Sequence, residues 1–325
     1  MFPTICYCSS IKHKSMLNRR QIRLKVMQSL YSYYCLSNLK EKEKKEHLFD
    51  VSKLISLFYL LIKILIRTSN FSKDFHASNK KKFFPTEKDL NPNYNFYENK
   101  FLKIFKDDDF NKYFKEINEI SEKLNSNHDL DRKIFIEIYK SEFYINYTKS
   151  NKTTYNTDAN FIIQVLKNIF PQYSFLKELL FEENVYWIDD YEAVIIFLIN
   201  KIKNNDKVES FKISTPFKNS DDKSYFTFLF EKTIEKNKDF DKIIEKNSAN
   251  WDLERIASID MILLKMGLTE FFYIKDLPCK VTLNEYIEIS KSYSTKKSSK
   301  FINGVLDNIL ISSEEIRKKW NLEVP

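Results

Sequence analysis

Only two glycines, Gly267 and Gly304, occur in the 325 residues of this chain. A Rossmann dinucleotide site needs three closely spaced glycines and a phosphate-binding P-loop needs two, so the composition argues against both classes of nucleotide site. Sheet-rich folds also use glycine at turns and bulges, where the backbone adopts conformations that other residues avoid. The heavy use of Lys, Asn, Ile, Phe and Tyr is typical of an AT-rich genome, which accounts for part of the scarcity. The composition therefore favours helices joined by Asn/Ser/Lys loops.

Hydrophobic periodicity supports an all-α fold of helical bundles. From Asn18 onward, apolar residues recur at helical spacing and form one stripe, made of Ile22, Val26, Leu30 and Tyr33. The apolar stretch 54–66 is interrupted by a lysine and too short to span a bilayer, so we expect a buried helix there. Residues 207–216 alternate like a strand but end at a proline, and we interpret them as an irregular linker.

The same pattern divides the chain into four regions. We predict an extension over residues 1–15, disordered or upstream of the native start, with Met16 directly before the patterned sequence. An N-terminal helical region with inserted helices follows over residues 16–215. A C-terminal helical bundle covers residues 216–311, and residues 312–325 form a tail.

Arginine and lysine are unevenly distributed along the chain. Three of the seven arginines lie within five residues, at Arg19, Arg20 and Arg23, whereas the chain contains 46 lysines. A guanidinium grips phosphate through two parallel hydrogen bonds and stacks on bases, which an ammonium does not. The first acidic residue is Glu41, so the field around this cluster attracts polyanions. The cluster at a helix start predicts contacts with RNA, and a solvated basic helix end is the alternative.

No constellation of side chains indicates catalysis or a metal. The four cysteines lack the second close pair that a zinc site needs: Cys6, Cys8, Cys35 and Cys279. The four histidines are scattered along the chain: His13, His47, His76 and His128. The acidic run 107–109 is interpreted as a solvated helix start. We therefore expect a reduced cytoplasmic protein that is not an enzyme and has no cofactor. Asp260 lies on an apolar face and is expected to be a paired core carboxylate.

Motifs at both ends of the chain resemble one family. Residues 18–31 read NRRQIRLKVMQSLY, and residues 251–255 read WDLER. Residues 277–285 read LPCKVTLNE, and residues 300–307 read KFINGVLD, which is close to a signature. Together these segments resemble NusB, a family of transcription antitermination factors, over about a quarter of the chain.

The resemblance implies a function and partners. It implies two packed helical bundles that bind boxA-type single-stranded RNA of ribosomal RNA leaders. It also implies pairing with NusE, a ribosomal small-subunit protein, and an indirect association with the RNA polymerase elongation complex. Typical members are less than half this length, so about 180 residues between the matched ends are additional or strongly diverged. Ile22 and Val26 also stand where the family usually has alanine, which would repack the first helix.

The candidate RNA-binding residues lie in two segments that the resemblance places side by side as one surface. The first segment contains Arg19, Arg20, Arg23, Lys25, Gln28 and Tyr31, and the second contains Lys296, Lys297, Lys300, Phe301 and Asn303. Basic grooves with aromatic stacking platforms are typical of single-stranded RNA binding. Tyr31 and Phe301 are alternatively packing residues, and Asn303 is either an RNA contact or a cap.

Two other functions stay open at this point. Some RNA cytosine methyltransferases carry a NusB-like domain and use a Pro-Cys nucleophile, and Pro278-Cys279 occurs here. Those enzymes also need a glycine-rich S-adenosylmethionine domain, which two isolated glycines do not provide, so catalysis is rejected. Two alternatives to an antitermination factor remain. One is a NusB-like RNA-binding module related to those enzymes, and the other is a helical protein-interaction scaffold that does not bind RNA.

Three local predictions concern the C-terminal helices. Gly267 shares a face with apolar residues and should let a neighbouring helix approach closely. Gly304 lies inside a helix, where glycine costs about 0.5–1 kcal/mol relative to alanine, and close packing is favoured over contact with a ligand. Thr282 and Glu285 have capping-box spacing and predict that a helix begins there.

Overall fold

Helices make up the regular secondary structure of the computed structural model, which describes residues 15–35, 52–106, 110–111, 113–115, 128–150, 152–204, 208–248 and 256–320. No strand occurs in this part of the chain, so the predicted all-α class is confirmed. The N-terminal extension to residue 14, the acidic run 107–109 and the motif at 251–255 lie outside the described residues.

The described helices are α1 Arg19–Cys35, α2 Ser52–Asn79, α3 Glu87–Leu90, α4 Lys100–Lys103, α5 His128–Lys140, α6 Glu142–Tyr147, α7 Tyr155–Asn168, α8 Ser174–Glu183, α9 Trp187–Lys203, α10 Ser220–Glu235, α11 Asn237–Asn247, α12 Ser258–Tyr273, α13 Cys279–Tyr293, α14 Ser298–Ser312 and α15 Glu314–Trp320. Short 3₁₀ turns lie at Ile104–Lys106, Phe170–Gln172 and Val208–Phe211. The linker predicted at 207–216 contains the last of these turns and no strand among its described residues.

The helices form two compact units. The terminal unit combines α1 with α10–α15, and the central unit contains α2–α9. The first helix therefore belongs with the C-terminal helices, whereas the sequence had grouped it with residues 16–215. The predicted tail contains α15. The division of the chain into domains at residues 215 and 216 stays a prediction.

Helix α12 lies at the centre of the terminal unit. All of its residues from Ile262 to Phe271 are buried, and it packs against α1, α10, α13 and α14. A helix that is apolar on every side is stable in water only when neighbours cover every side. The run of Ile, Leu, Met and Phe in α12 therefore makes it the core around which the other helices assemble.

The two glycines have different surroundings. A Cβ atom at Gly267 would lie 3.3 Å from both δ-carbons of Leu306 and 3.5 Å from a ring carbon of Tyr286. The predicted close approach of a neighbouring helix at Gly267 is confirmed. A Cβ atom at Gly304 would meet no heavy atom within 4 Å, so the prediction of close packing there is wrong. Gly304 lies on the half-exposed side of α14, away from the contact that α14 makes with α12.

The start of α13 also differs from the prediction. The helix begins at Cys279, after Pro278, and no side chain caps it. Thr282 and Glu285 lie inside the helix and bind other helices: Thr282 donates a hydrogen bond to Glu270 of α12, and Glu285 pairs with Arg20 of α1. The capping-box spacing therefore predicted the start of this helix wrongly.

Helix α2 is the long apolar helix of the central unit. It packs against α5 and α9, and Tyr59 in its middle donates a hydrogen bond of 2.9 Å to the carbonyl of Phe211. By length and composition α2 could cross a membrane, but 61% of its most apolar window is buried within the structure. That burial is typical of a core helix and agrees with the prediction of a buried helix at residues 54–66.

Candidate nucleic-acid interface

The two exposed arginines of the predicted cluster are bound to carboxylates. Nε of Arg19 lies 2.9 Å from Oδ1 of Asp222 on α10, and its guanidinium lies over the ring of Tyr225. Arg20 donates two hydrogen bonds of 2.8 Å, from Nε and Nη2, to the two oxygens of Glu285 on α13. Both arginine side chains are half exposed. Arg19 and Arg20 thus lie at the surface with their charges largely compensated.

Arg23 lies in the interior of the terminal unit. It donates hydrogen bonds of 2.8 and 3.2 Å to the carboxylate of Glu270, which is fully buried on α12. Three hydroxyls donate to the same carboxylate: those of Tyr225, of Thr282 at 2.7 Å and of Tyr286 at 2.8 Å. The partners come from three helices of the unit: Arg23 from α1, Tyr225 from α10, and Thr282 and Tyr286 from α13. This Glu270 cluster ties α1, α10, α12 and α13 together.

The electrostatics of the Glu270 cluster keep one ion pair among neutral hydroxyls. Burial by itself would lower the pKa of Arg23, but the Glu270 carboxylate together with Tyr225 and Tyr286 more than offsets this and raises that pKa above its ordinary value. Burial, and then the charge of Glu270, raise the pKa values of Tyr225 and Tyr286 well above their usual range. The hydroxyls therefore stay protonated and keep donating to the carboxylate.

Burial removes two residues from the predicted RNA surface. Arg23 and Lys25 are both buried, and Nζ of Lys25 donates a hydrogen bond of 2.9 Å to Oε1 of the half-buried Gln28. Neither side chain is presented to a ligand. The sequence correctly indicated that position 23 requires a guanidinium that binds a planar anion. In the structure that anion is the carboxylate of Glu270. Tyr31 is 45% exposed on α1 and stays available as a stacking platform.

The second predicted segment presents three exposed lysines. We define the lysine loop as residues 295–300; it carries Lys296, Lys297 and Lys300, all exposed. In the described part of the chain, none of the three forms an ion pair. Ser298 orders the loop, because its hydroxyl donates a hydrogen bond of 2.6 Å to buried Asp260 and accepts one from the Thr295 amide. The lysine loop is therefore an ordered, uncompensated basic surface.

The two residues that follow the lysine loop are less exposed. Phe301 is buried, as expected for the packing alternative rather than for a stacking platform. Asn303 is half buried and donates a hydrogen bond of 3.0 Å to Oδ2 of Asp307 within α14. Asn303 thus binds a neighbour on its own helix. Asp260 is a buried carboxylate that accepts from Ser298, in line with a structural role.

The lysine loop and the arginine cluster lie at opposite ends of α12. Ser298 is bound to Asp260 in the first turn of that helix, and Arg23 is bound to Glu270 in its last turns. Ten residues of α-helix separate these anchor points by about 15 Å at 1.5 Å per residue. The single adjoining RNA surface that the resemblance implied for the two segments stays a prediction.

Sequence reasoning missed the anions that bind the arginines. Glu270 is the one carboxylate in the apolar run from Met261 to Phe272, and a lone acid in such a run requires a buried cationic partner. That signal was available in the sequence. Asp222 and Glu285 carried no comparable signal, because each lies in a charged or polar stretch of sequence, where acidic residues are common.

Comparisons with known proteins agree with the C-terminal motifs, whereas the motif at residues 18–31 lies outside the match to the family profile. The profile of the NusB family matches residues 192–310. The chain is similar to proteins called transcription antitermination protein NusB from Thermodesulfovibrio yellowstonii (48% identity over 98 residues), Clostridium acetobutylicum (38% over 118) and Salinibacter ruber (47% over 83). These matches cover 30%, 36% and 26% of this chain and 64%, 86% and 52% of the relatives. No solved structure matches the chain.

Proposed function

Because this chain belongs to the NusB family, we propose that it acts as an RNA-binding transcription antitermination protein on boxA-type leader RNA. The family match ends at residue 310 and includes α12, α13 and the lysine loop. The proposal places the RNA contact in this matched part. It assigns no catalytic step to the chain.

The lysine loop is the observation on which the proposal depends. Its three ammonium groups are exposed and uncompensated within the described residues, whereas the arginines at the start of α1 are bound to carboxylates. Lysines that neutralise phosphates release counterions and give most of the salt-dependent affinity for nucleic acid. Because the Ser298–Asp260 hydrogen bond orders the loop before binding, little conformational entropy is lost when RNA is bound.

Gly304 adds a second argument for a ligand beside this loop. It lies one turn after Lys300, in the interior of α14, where glycine is unfavourable by about 0.5–1 kcal/mol relative to alanine. Packing does not explain that cost, since no atom lies within 4 Å of the missing Cβ. Close approach of an RNA backbone to the helix is the remaining use of a glycine at this position.

The arginine cluster has a different role in this proposal. Arg23 fixes α1 to α12, and Arg20 fixes it to α13, so that α1 presents exposed Tyr31 in a defined orientation. Arg19 and Arg20 contribute to RNA binding only if phosphate displaces Asp222 and Glu285. We further propose that NusE binds another face of the terminal unit and that the complex associates with elongating RNA polymerase in the cytoplasm.

A titration with a matched charge control tests the proposal. Changing Lys296, Lys297 and Lys300 to alanine should weaken binding of boxA RNA and lower the salt slope by about 2, at about 0.7 per lost phosphate contact with a single strand. The control changes three exposed lysines of α11 to alanine, which removes the same charge from the same unit: Lys238, Lys242 and Lys246.

Fluorescence anisotropy with boxA and scrambled RNA, at several salt concentrations and with or without NusE, gives the affinities. If both triple variants lose the same affinity, the lysine loop is not a specific site. If neither variant loses affinity, the RNA contact lies outside the lysine loop. If the unchanged chain shows no preference for boxA RNA over scrambled RNA while NusE binding persists, the chain is a protein-binding scaffold and the proposed function is wrong.

A further inference from the structure

The central unit exposes two phenylalanines that belong to no described core. Phe83 and Phe84 are 90% and 84% exposed, and their ring centroids lie 4.7 Å apart in an edge-to-face arrangement. Single exposed apolar residues are common on protein surfaces, but two adjacent and almost fully exposed aromatic rings usually mark an interaction site. They lie in the turn between α2 and α3, at residues 80–86.

Basic residues precede these rings in the sequence. Lys80, Lys81 and Lys82 immediately precede them, and all three are exposed. Lys82 lies 3.6 Å from Asp89 on α3, so its charge is compensated. Lys80 and Lys81 form no ion pair within the described residues. The turn therefore carries exposed lysines and exposed aromatic rings at consecutive positions.

A groove of about 790 Å³ borders the same turn. Lys80 and Leu90, which flank the phenylalanines in the sequence, both line it. Three more lysines line the groove: Lys100, Lys103 and Lys152. Glu98 is the acidic residue of the lining and pairs with Lys103, so the groove carries a net positive charge.

Asparagine side chains hold one wall of this groove in place. Nδ2 of Asn93 donates hydrogen bonds of 3.1 Å to the carbonyls of Thr148 and Ser150. Nδ2 of Asn95 donates a hydrogen bond of 2.6 Å to the same Ser150 carbonyl. Nζ of Lys100 donates one of 2.6 Å to the carbonyl of Thr153. These bonds join residues 93–100 to residues 148–153, so the groove is formed before a ligand binds.

We propose that this surface of the central unit is a second binding site for single-stranded RNA. Proteins bind single strands with a basic groove along the phosphates and aromatic rings on which bases stack. Here Lys80, Lys100 and Lys152 line the groove, and the turn that borders it carries Phe83 and Phe84. The site reads no defined sequence, because every base can stack on an aromatic face.

A lipid surface is the competing partner for a turn that combines lysine with phenylalanine. The groove decides against it, because a flat bilayer cannot fill a concave cavity lined by lysine and asparagine. A strand with phosphates and base edges can fill it. The inference rests on the proposed function for the choice of RNA as the polyanion, but it concerns residues outside the family match.

The experiment uses the full chain with the lysine loop already neutralised. In the Lys296→Ala, Lys297→Ala, Lys300→Ala background, a fluorescein-labelled uridine dodecamer should still bind, and its binding should depend on salt. Adding Phe83→Ala and Phe84→Ala should weaken this binding about tenfold or more, as expected from the loss of stacking. Both rings are exposed, so the fold should persist, which circular dichroism checks.

Val185→Ala is the control, because Val185 is an exposed apolar residue of the same unit and no lysine lies close to it in the sequence. It should leave binding of the dodecamer unchanged. Equal binding with and without the phenylalanines in the neutralised background would overturn the proposal. Sedimentation with phosphatidylserine vesicles that depends on Phe83 and Phe84, with dodecamer binding unaffected, would assign the surface to lipid and would also overturn it.

The result is separable from that of the boxA titration. If boxA RNA shows no preference over scrambled RNA but dodecamer binding requires Phe83 and Phe84, the proposed function is wrong and the second site stands. If boxA binding depends on the lysine loop but the dodecamer is insensitive to the phenylalanines, the second site is wrong and the proposed function stands.

Discussion

Replacing Arg23 with methionine should destabilise the terminal unit by about 3–5 kcal/mol, because it leaves a buried carboxylate without its cation. The side chain of Arg23 is 3% exposed and that of Glu270 is fully buried, so water cannot replace the two lost hydrogen bonds. The hydroxyls of Tyr225, Thr282 and Tyr286 continue to donate to the carboxylate and place the cost near the lower end of that range.

The matched control is Arg20→Met, which removes a guanidinium with equally good geometry but with half of its side chain exposed. Exposed ion pairs contribute about 0–1 kcal/mol, so this variant should be nearly neutral. Hydrogen exchange of peptides from α12 measures the local stability of the terminal unit without interference from the central unit.

The two interpretations of Arg23 give opposite results. A structural role predicts faster exchange throughout α12, with RNA affinity reduced only as far as the unit unfolds. If Arg23→Met leaves exchange unchanged and weakens boxA RNA binding, then Arg23 contacts RNA and the assignment to the Glu270 cluster is wrong.

Two further predictions concern stability. Gly304→Ala should stabilise the terminal unit by about 0.5–1 kcal/mol, since the site is helical and open, and thermal melting measures this gain. The same change should weaken boxA RNA binding, which fluorescence anisotropy measures. Unchanged affinity would contradict close approach of RNA to the helix. Above pH 10 the stability should fall, because Tyr225 and Tyr286 have raised pKa values and the unfolded chain releases their protons first. Each tyrosine contributes a slope of about 1.4 kcal/mol per pH unit, and urea midpoints that stay constant from pH 9.5 to 11.5 would contradict this reasoning.

The fold class and the family could be predicted from the sequence because both depend on local pattern. Helical periodicity needs only neighbouring residues, and the motif at residues 300–307 is contiguous. The partner of an arginine is different, because Arg23 and Glu270 are 247 residues apart and no local pattern connects them. Arginine at position 23 indicated a planar anion, but only the packing of α1 against α12 identifies that anion as a carboxylate.

The two glycines illustrate the same limit. Gly267 and Gly304 both lie inside helices of the terminal unit, and helical spacing alone predicts close packing equally at both positions. Gly267 faces Leu306 and Tyr286, whereas Gly304 faces open space, and this difference arises only when the helices pack. Thr282 and Glu285 are similar, since their spacing fits a cap but their side chains bind residues of other helices.

The bond between Arg23 and Glu270 has a consequence for synthesis on the ribosome. Helix α1 is made early, but the carboxylate that holds it is made 247 residues later, roughly 12–50 s afterwards at typical translation rates. Until α10 and α12 are made, the apolar stripe of Ile22, Val26 and Leu30 lacks its partners from those helices. The terminal unit thus has a high contact order and folds after translation of α12, whereas the central unit is complete earlier. A nascent chain stalled before α12 would therefore offer α1 to a chaperone.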